Sequence, residues 1–360
     1  MIPHSRPTLG EEEKKACLEV LDSLQIAQGE KVAAFEKAFC QFASRRYGVA
    51  VSSGTSALHL ALLALGVSQG DEVIVPSFTC VALLHAVDAV GARPVVADID
   101  LEDFNISVSE VKKKRTRKTK VVIAPHAFGR TARMEELISL GLPVIEDGTQ
   151  ALGAKIGNKT VGSFGAISVF SFYPTKMITT GEGGMVLTDS SRLAEKILDM
   201  RDYDKKKDYR FRTNAKMTDL EAALGIEQLK KLPDFIQKRR EIASHYRKAF
   251  QTTAAVLPVE DSYRDHVYFR YVVRMPKQSK MWLKHLRTRG IDAKEPVFKP
   301  LHRYLHFPEP LFPSTAKAMK EACSLPIYPS LSHEDCERIC RAIQHREEKP
   351  PAKKFEAVAC

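Results

Sequence analysis

Ala166-Ile167-Ser168-Val169-Phe170-Ser171-Phe172-Tyr173-Pro174-Thr175-Lys176, with the turn Gly181-Glu182-Gly183-Gly184 behind it, is an apolar run that ends at Phe172 and releases a lysine into a loop. A run without strict polar alternation suits a strand covered on both faces. Six further strands, mostly of the same kind, are predicted at residues 47–51, 72–76, 93–98, 120–125, 143–146 and 184–187. Helical patterns lie between several of them, as at 81–90 and 134–140, which points to an α/β domain around a largely parallel, seven-stranded sheet. In such a sheet the ligand sits at the loops outside the carboxyl ends of the strands, where Lys176 falls.

Working outward, residues 11–24 and 32–42 read as amphipathic helices, and 56–65 as a helix rich in Ala and Leu behind Ser52-Ser53-Gly54-Thr55. After Thr218 the character changes. A helix over 218–231 is expected to stop at Pro233 and a second to run over 234–250. A strand at 266–274, a helix at 279–289 closed by Gly290, a Pro-rich stretch over 296–313 and a helix at 332–345 follow. The expected division is a large domain with its N-terminal helices over 1–241, a smaller α+β domain over 242–346, and a loose tail over 347–360.

The 360 residues, 44% of them hydrophobic, can fill a substantial core. The start of the chain lacks an apolar signal region and no apolar run is long enough to span a bilayer, so a cytoplasmic protein is expected, neither secreted nor membrane-bound. Seven scattered cysteines do not have the dense spacing of a disulfide framework. A net charge of +11 with a pI near 9.2 favours anionic partners without choosing among them. The densest basic run, Lys112-Lys113-Lys114-Arg115-Thr116-Arg117-Lys118-Thr119-Lys120, has no aromatic residues to stack bases and reads as a solvated helix end or loop rather than a nucleic-acid surface. Lys205-Lys206-Lys207 with Arg210 and Arg212 stands closer to Asn214, where attraction of a phosphate is the alternative to a solvated face.

Three islands together offer what pyridoxal phosphate needs. Lys176 supplies an amine for a Schiff base and for moving a proton; by itself it would be a surface charge, and its place between a strand end and a glycine-rich turn argues otherwise. Asp147 ends the apolar run Val144-Ile145-Glu146-Asp147 and can keep the ring nitrogen protonated, a turn cap being the plainer alternative. Gln150 can reach the ring hydroxyl. Ser53-Gly54-Thr55-Ser56 opens a helix, so Thr55 and the amide of Ser56 can hold a phosphate while Gly54 permits close approach, against the reading as a simple N-cap. Ser171 and Asn214 can add side-chain contacts.

Ser53-Gly54-Thr55, Gly70-Asp71-Glu72-Val73-Ile74-Val75-Pro76, Gly91-Ala92-Arg93-Pro94-Val95, Glu146-Asp147 with Gln150, Ser171-Phe172 with Lys176, Gly181-Glu182-Gly183-Gly184 and Ser324-Leu325-Pro326-Ile327-Tyr328-Pro329 resemble the DegT/DnrJ/EryC1/StrS aminotransferases over nearly the whole chain. The resemblance implies a fold-type I pyridoxal-phosphate enzyme, a homodimer with shared active sites, and transfer of an amino group, commonly from L-glutamate, to a keto sugar carried on a nucleotide diphosphate. By position it assigns Lys176 to the Schiff base, Asp147 to the pyridine nitrogen, Gln150 to the ring hydroxyl, and Thr55, Ser56 and Ser171 to the phosphate. Asn214 would reach the phosphate of the neighbouring subunit.

Departures from that pattern stand at three places. Cys80 replaces the aromatic residue that stacks on the ring, and His126 is a neighbour that could supply a ring instead, with a packed core or outer-layer role as its alternative. Lys216 replaces an arginine, keeping the charge but losing the bidentate fork for a carboxylate. Residues 294–302 match the substrate loop only loosely, so a free keto sugar or keto cyclitol is the alternative acceptor. A cofactor-binding protein without turnover is the alternative of another class, and a dehydratase on the same fold is disfavoured by Lys176. His333, Cys336 and Cys340 share helical spacing but lack a fourth ligand, so no metal is expected. His59 reads as packed or hydrogen-bonded.

Overall fold

The computed structural model describes residues 1–251, 253–275 and 279–344; the expected tail over 347–360 and the last residue of the final predicted helix lie outside the described residues. The chain begins with helices α1 (Glu11–Ser23) and α2 (Glu30–Ala43) and enters the sheet at β1 (Tyr47–Val51). Then α3 (Gly54–Ala64), β2 (Glu72–Pro76), α4 (Ala82–Ala89), β3 (Arg93–Ala97), α5 (Val108–Lys114) and β4 (Thr119–Pro125) alternate. They are followed by α6 (Met134–Ser139), β5 (Val144–Asp147), a small hairpin of β6 (Lys155–Ile156) and β7 (Lys159–Thr160), then β8 (Ile167–Ser171), β9 (Gly184–Thr188) and α7 (Ser191–Arg201).

The seven-stranded sheet has the order β1-β9-β8-β5-β4-β2-β3. Only β9 runs against the others, since it pairs antiparallel with both β1 and β8 while the remaining neighbours are parallel. The unbroken apolar runs are explained by cover on both faces. Val73, Val75, Val121 and Ile123 pack with α3 and α4, whereas their neighbours Ile74, Val122 and Ala124 pack with Val111 of α5 and Met134 and Leu137 of α6. Beneath β8 and β9, Phe170, Phe172, Met185 and Leu187 meet Phe35 and Phe39 of α2.

The expected stop at Pro233 is overturned: α8 (Asp219–Ala249) is one helix of 31 residues that carries Pro233 inside it. Proline removes one backbone hydrogen bond. That loss is offset because Leu229, Leu232, Phe235, Ile242 and Tyr246 on either side are buried, the helix packing on α1 and α2. Beyond it lie β10 (Tyr271–Arg274), α9 (Ser279–Thr288), the short α10 (Leu301–Tyr304) in the Pro-rich stretch, α11 (Pro313–Glu321), β11 (Ala322–Leu325) and α12 (His333–Gln344). β10 and β11 pair antiparallel over a core containing Tyr246, Trp282, Cys336 and Cys340. The residue-242 border falls within α8.

The strand expected over 266–274 is shorter because Tyr268 adopts a φ of 51°, which breaks extended backbone. Residues 266–270 instead form a connecting segment pinned by Arg239. This fully buried guanidinium donates to the carbonyls of Tyr268 and Phe269 at 3.2 Å and of Ile327 at 2.9 Å. Gly129, with a φ of 100°, is where the sheet side accepts that segment: a Cβ there would stand 2.6 Å from the Phe269 nitrogen.

Candidate active site

The carboxyl ends of β2, β4, β5 and β8 place Pro76, Pro125, Asp147 and Ser171 along one edge of the sheet, with Pro125 in register with Asp147. A cavity of about 330 Å³ opens beside this edge. Its walls include Phe78, Cys80, Phe128, Gln150, Lys176, Phe269, Arg270, Phe298, Lys299 and Tyr304.

Lys176 follows a tight turn in which its N–H donates to the Tyr173 carbonyl at 2.8 Å. The side chain is half-buried, with Nζ 5.5 Å from the centre of the Phe269 ring. Burial lowers the pKa of the amine, the Asp147 charge opposing this and Arg270 adding to it. Among the described residues no hydrogen bond or ion pair engages Nζ. Asp147 is buried at the end of β5, and its Oδ1 accepts the Thr149 N–H at 3.0 Å. Gln150 Oε1 accepts the Phe128 N–H at 2.9 Å, so the amide nitrogen remains to donate elsewhere.

The hydroxyl-rich helix start forms a separate rim. Ser53 caps α3, accepting the Ser56 N–H at 3.1 Å, and the Ser56 hydroxyl lies 2.9 Å from Ser53 Oγ and 3.1 Å from Ser52 Oγ. The Ser56 amide, expected as a phosphate donor, is therefore already used by the cap. Thr55 is exposed. Gly54 lies so close to β8 that a Cβ would meet the Ser171 Cβ at 2.5 Å. Gly54→Ala is expected to part helix and strand, an overpacking cost of about 1–3 kcal/mol, and to weaken cofactor retention by tenfold or so. Titration of the cofactor-free protein reads this directly; an unchanged dissociation constant would mean the contact is unimportant.

His126 does not reach the cavity. It is wholly buried, its Nδ1 accepts the Ala132 N–H at 2.9 Å, and the proton thus left on Nε2 points to Glu146 Oε1 at 3.0 Å. The ring is satisfied in the core, as in the packed-core reading and not the stacking one. Glu146 also accepts from Gly162 N, Phe164 N, Gly165 N and the Ser168 hydroxyl. Burial pushes its pKa up, but the His126 hydrogen bond and these other donors outweigh burial and hold it well below the ordinary 4.5. The stability it contributes is thus present above pH 4.5 and lost as the pH falls below that value. Glu146→Gln is expected to cost about 3 kcal/mol near neutrality and to flatten the acid limb of urea midpoint against pH. An unaltered acid limb would contradict this.

Lys216 is spent on Asp202, with Nζ 2.9 Å from Oδ1. Asn214 is exposed and bridged through its backbone to Asp202, away from the cavity wall. Cys80 is exposed at the cavity wall. His59 is packed edge-on to Phe211 at 6.0 Å, and its Nε2 has no hydrogen-bond partner among the described residues. Cys336 and Cys340 lie in the C-terminal core. Lys299 and Phe298 come from the loosely matching stretch 294–302, whereas Phe269, Arg270 and Tyr304 were not anticipated from the sequence; an arginine inside the apolar segment Val267–Val273 was the available signal.

The fold and this edge define a pyridoxal-phosphate transferase of fold type I. The residues present fit the cofactor: a half-buried amine without a hydrogen bond or ion pair among the described residues lines the cavity, the charge of a buried carboxylate acts on it, and only a residue without Cβ fits where α3 meets Ser171. The model of the DegT/DnrJ/EryC1/StrS aminotransferase family matches residues 7–344. GDP-perosamine synthase of Escherichia coli O157:H7 is 37% identical over 355 residues, 95% of this chain and 97% of that protein. The aminotransferase TlmJ of Streptoalloteichus hindustanus superposes with a TM-score of 0.91 at 30% identity, covering 96% of this chain and 98% of that one. PseC of Helicobacter pylori, an aminotransferase involved in the biosynthesis of pseudoaminic acid, does so with a TM-score of 0.88 at 31% identity, covering 96% and 98%. The chain belongs to the DegT/DnrJ/EryC1/StrS aminotransferase family, and is a pyridoxal-phosphate-dependent aminotransferase. Among the described residues no helix is long and apolar enough to cross a membrane.

Proposed function

We propose that this enzyme moves an amino group from L-glutamate to a keto sugar carried on a nucleoside diphosphate. The observation that carries the reading is the Lys176 amine, partly stripped of water and facing a cavity large enough for a sugar ring. The likeness to a GDP-perosamine synthase supports a nucleotide-linked acceptor. When bound, pyridoxal phosphate supplies an aldehyde that captures amines and a ring that withdraws electrons from the carbon next to nitrogen.

Lys176 is the residue that would hold that aldehyde, and its amine is the base that would take a proton from the donor carbon and return one to the acceptor carbon. Burial favours the neutral amine that both tasks require. Asp147, at the end of β5, would hold the ring nitrogen in its protonated form. The Gln150 amide nitrogen would be free to donate to the ring hydroxyl, its oxygen being fixed by Phe128. Thr55, the Ser56 hydroxyl and Ser171 would hold the phosphate, and the exposed Asn214 would serve the site of a second copy in a homodimer. In this reading residues 1–241 form the cofactor domain and 242–346 the domain that closes over it.

The test is to offer cofactor-loaded enzyme with L-glutamate a panel of nucleoside-diphosphate-linked and free keto sugars and to detect the aminated product by mass spectrometry. Amination of nucleotide-linked sugars alone is expected. Amination of free keto sugars or cyclitols in preference would replace this acceptor with the unlinked one.

A further inference from the structure

We infer that Arg270 is the binding residue for the α-carboxylate of the amino donor, a role that rests on the aminotransferase reading above and adds to it a specific contact. The charged side chains lining the cavity are Lys176, Arg270 and Lys299, with no carboxylate among them. Such a wall favours an anion. Arg270 is fixed in place: its backbone N–H donates to the Phe128 carbonyl at 3.1 Å, and one guanidinium nitrogen donates to the Pro296 carbonyl at 3.1 Å. Among the described residues no acid pairs with it, although burial lowers its pKa. A guanidinium with one neutral acceptor keeps most of its five donors for a ligand, and its planar fork matches a carboxylate with two parallel bonds.

Position selects the carboxylate. Arg270 Cζ and Lys176 Nζ each lie 5.5 Å from the centre of the same Phe269 ring. An α-amino acid carries its carboxylate one bond from the carbon that loses the amine, so a donor reacting at Lys176 brings that anion to the neighbourhood of Arg270. Lys216, the other cation considered for this task, is already neutralised by Asp202. Cys80, small where an aromatic ring was expected, lines the same cavity as Arg270.

The experiment compares wild type, Arg270→Lys and Arg270→Met in the donor half-reaction, followed by cofactor absorbance over rising L-glutamate, and repeats it with the α-amide of L-glutamate. Wild type is expected to discriminate strongly against the amide. Arg270→Met should raise the half-saturating L-glutamate concentration by about tenfold to a hundredfold, Arg270→Lys by less, and both should narrow the discrimination. Wild type that uses amide and acid alike, a variant with unaltered discrimination, or a rise confined to the acceptor KM would overturn the assignment. Calorimetry with glutarate supplies a readout apart from turnover: affinity should fall in Arg270→Met, and equal affinity would also overturn it. A wild type inert to L-glutamate would count against the proposed donor alone, since glutarate binding still decides the role of Arg270.

Discussion

Lys176→Ala is expected to reduce amino transfer by at least about 10⁴-fold, the upper part of what one positioned acid/base group contributes, with the fold left intact. The loss should be chemical because the side chain offers the structure little else. Its amine has no ion pair or hydrogen bond among the described residues, so truncation leaves no buried partner stranded. Arg270, whose charge acts on this amine, cannot substitute as a base, since a guanidinium does not give up its proton in proteins. Lys176→Arg should therefore be as inactive as the alanine variant. Steady-state transfer and a thermal melt of each variant check this together; turnover above about 10⁻⁴ of wild type with an unchanged melt would contradict the role.

Asp147→Asn is expected to lower turnover by about 10²- to 10³-fold, the usual consequence of removing one fixed charge or donor from a catalytic site. The amide oxygen can still accept the Thr149 N–H, so the turn survives and the change isolates the charge. A second consequence has a definite sign. Burial lowers the Lys176 pKa and Asp147 opposes it, so loss of that carboxylate lowers the amine further. The pH midpoint for capture of added pyridoxal phosphate by the cofactor-free protein should move to lower pH. A midpoint that stays put, or moves upward, would show that Asp147 does not act on the amine.

The sheet was legible because every strand of a doubly covered sheet must be apolar on both faces, and the run ending at Phe172 carried that mark together with its lysine. The positions of Lys176 and Gln150 at the cavity and of Asp147 at the end of β5 were legible for a related reason: each stands at a strand end or shortly after one, where sequence proximity and spatial position coincide. Other features depend on distant partners. Pro233 reads as a helix stop, and only the helices packed along α8 reveal why it is tolerated. The bend at Tyr268 is imposed by Arg239 some thirty residues earlier and by Gly129 on another element. Arg270, Lys299 and Lys176 line one cavity although no spacing connects them. His126 was ambiguous until Glu146 and the Ala132 amide were seen on its two nitrogens.

The most direct test of the account is to reduce the cofactor-loaded protein with borohydride, digest it, and locate the pyridoxyl group by peptide mass spectrometry. The expected result is a single adduct on Lys176, lost in Lys176→Ala. An adduct on another lysine, or none from protein that binds the cofactor tightly, would contradict the claim that this amine anchors the chemistry.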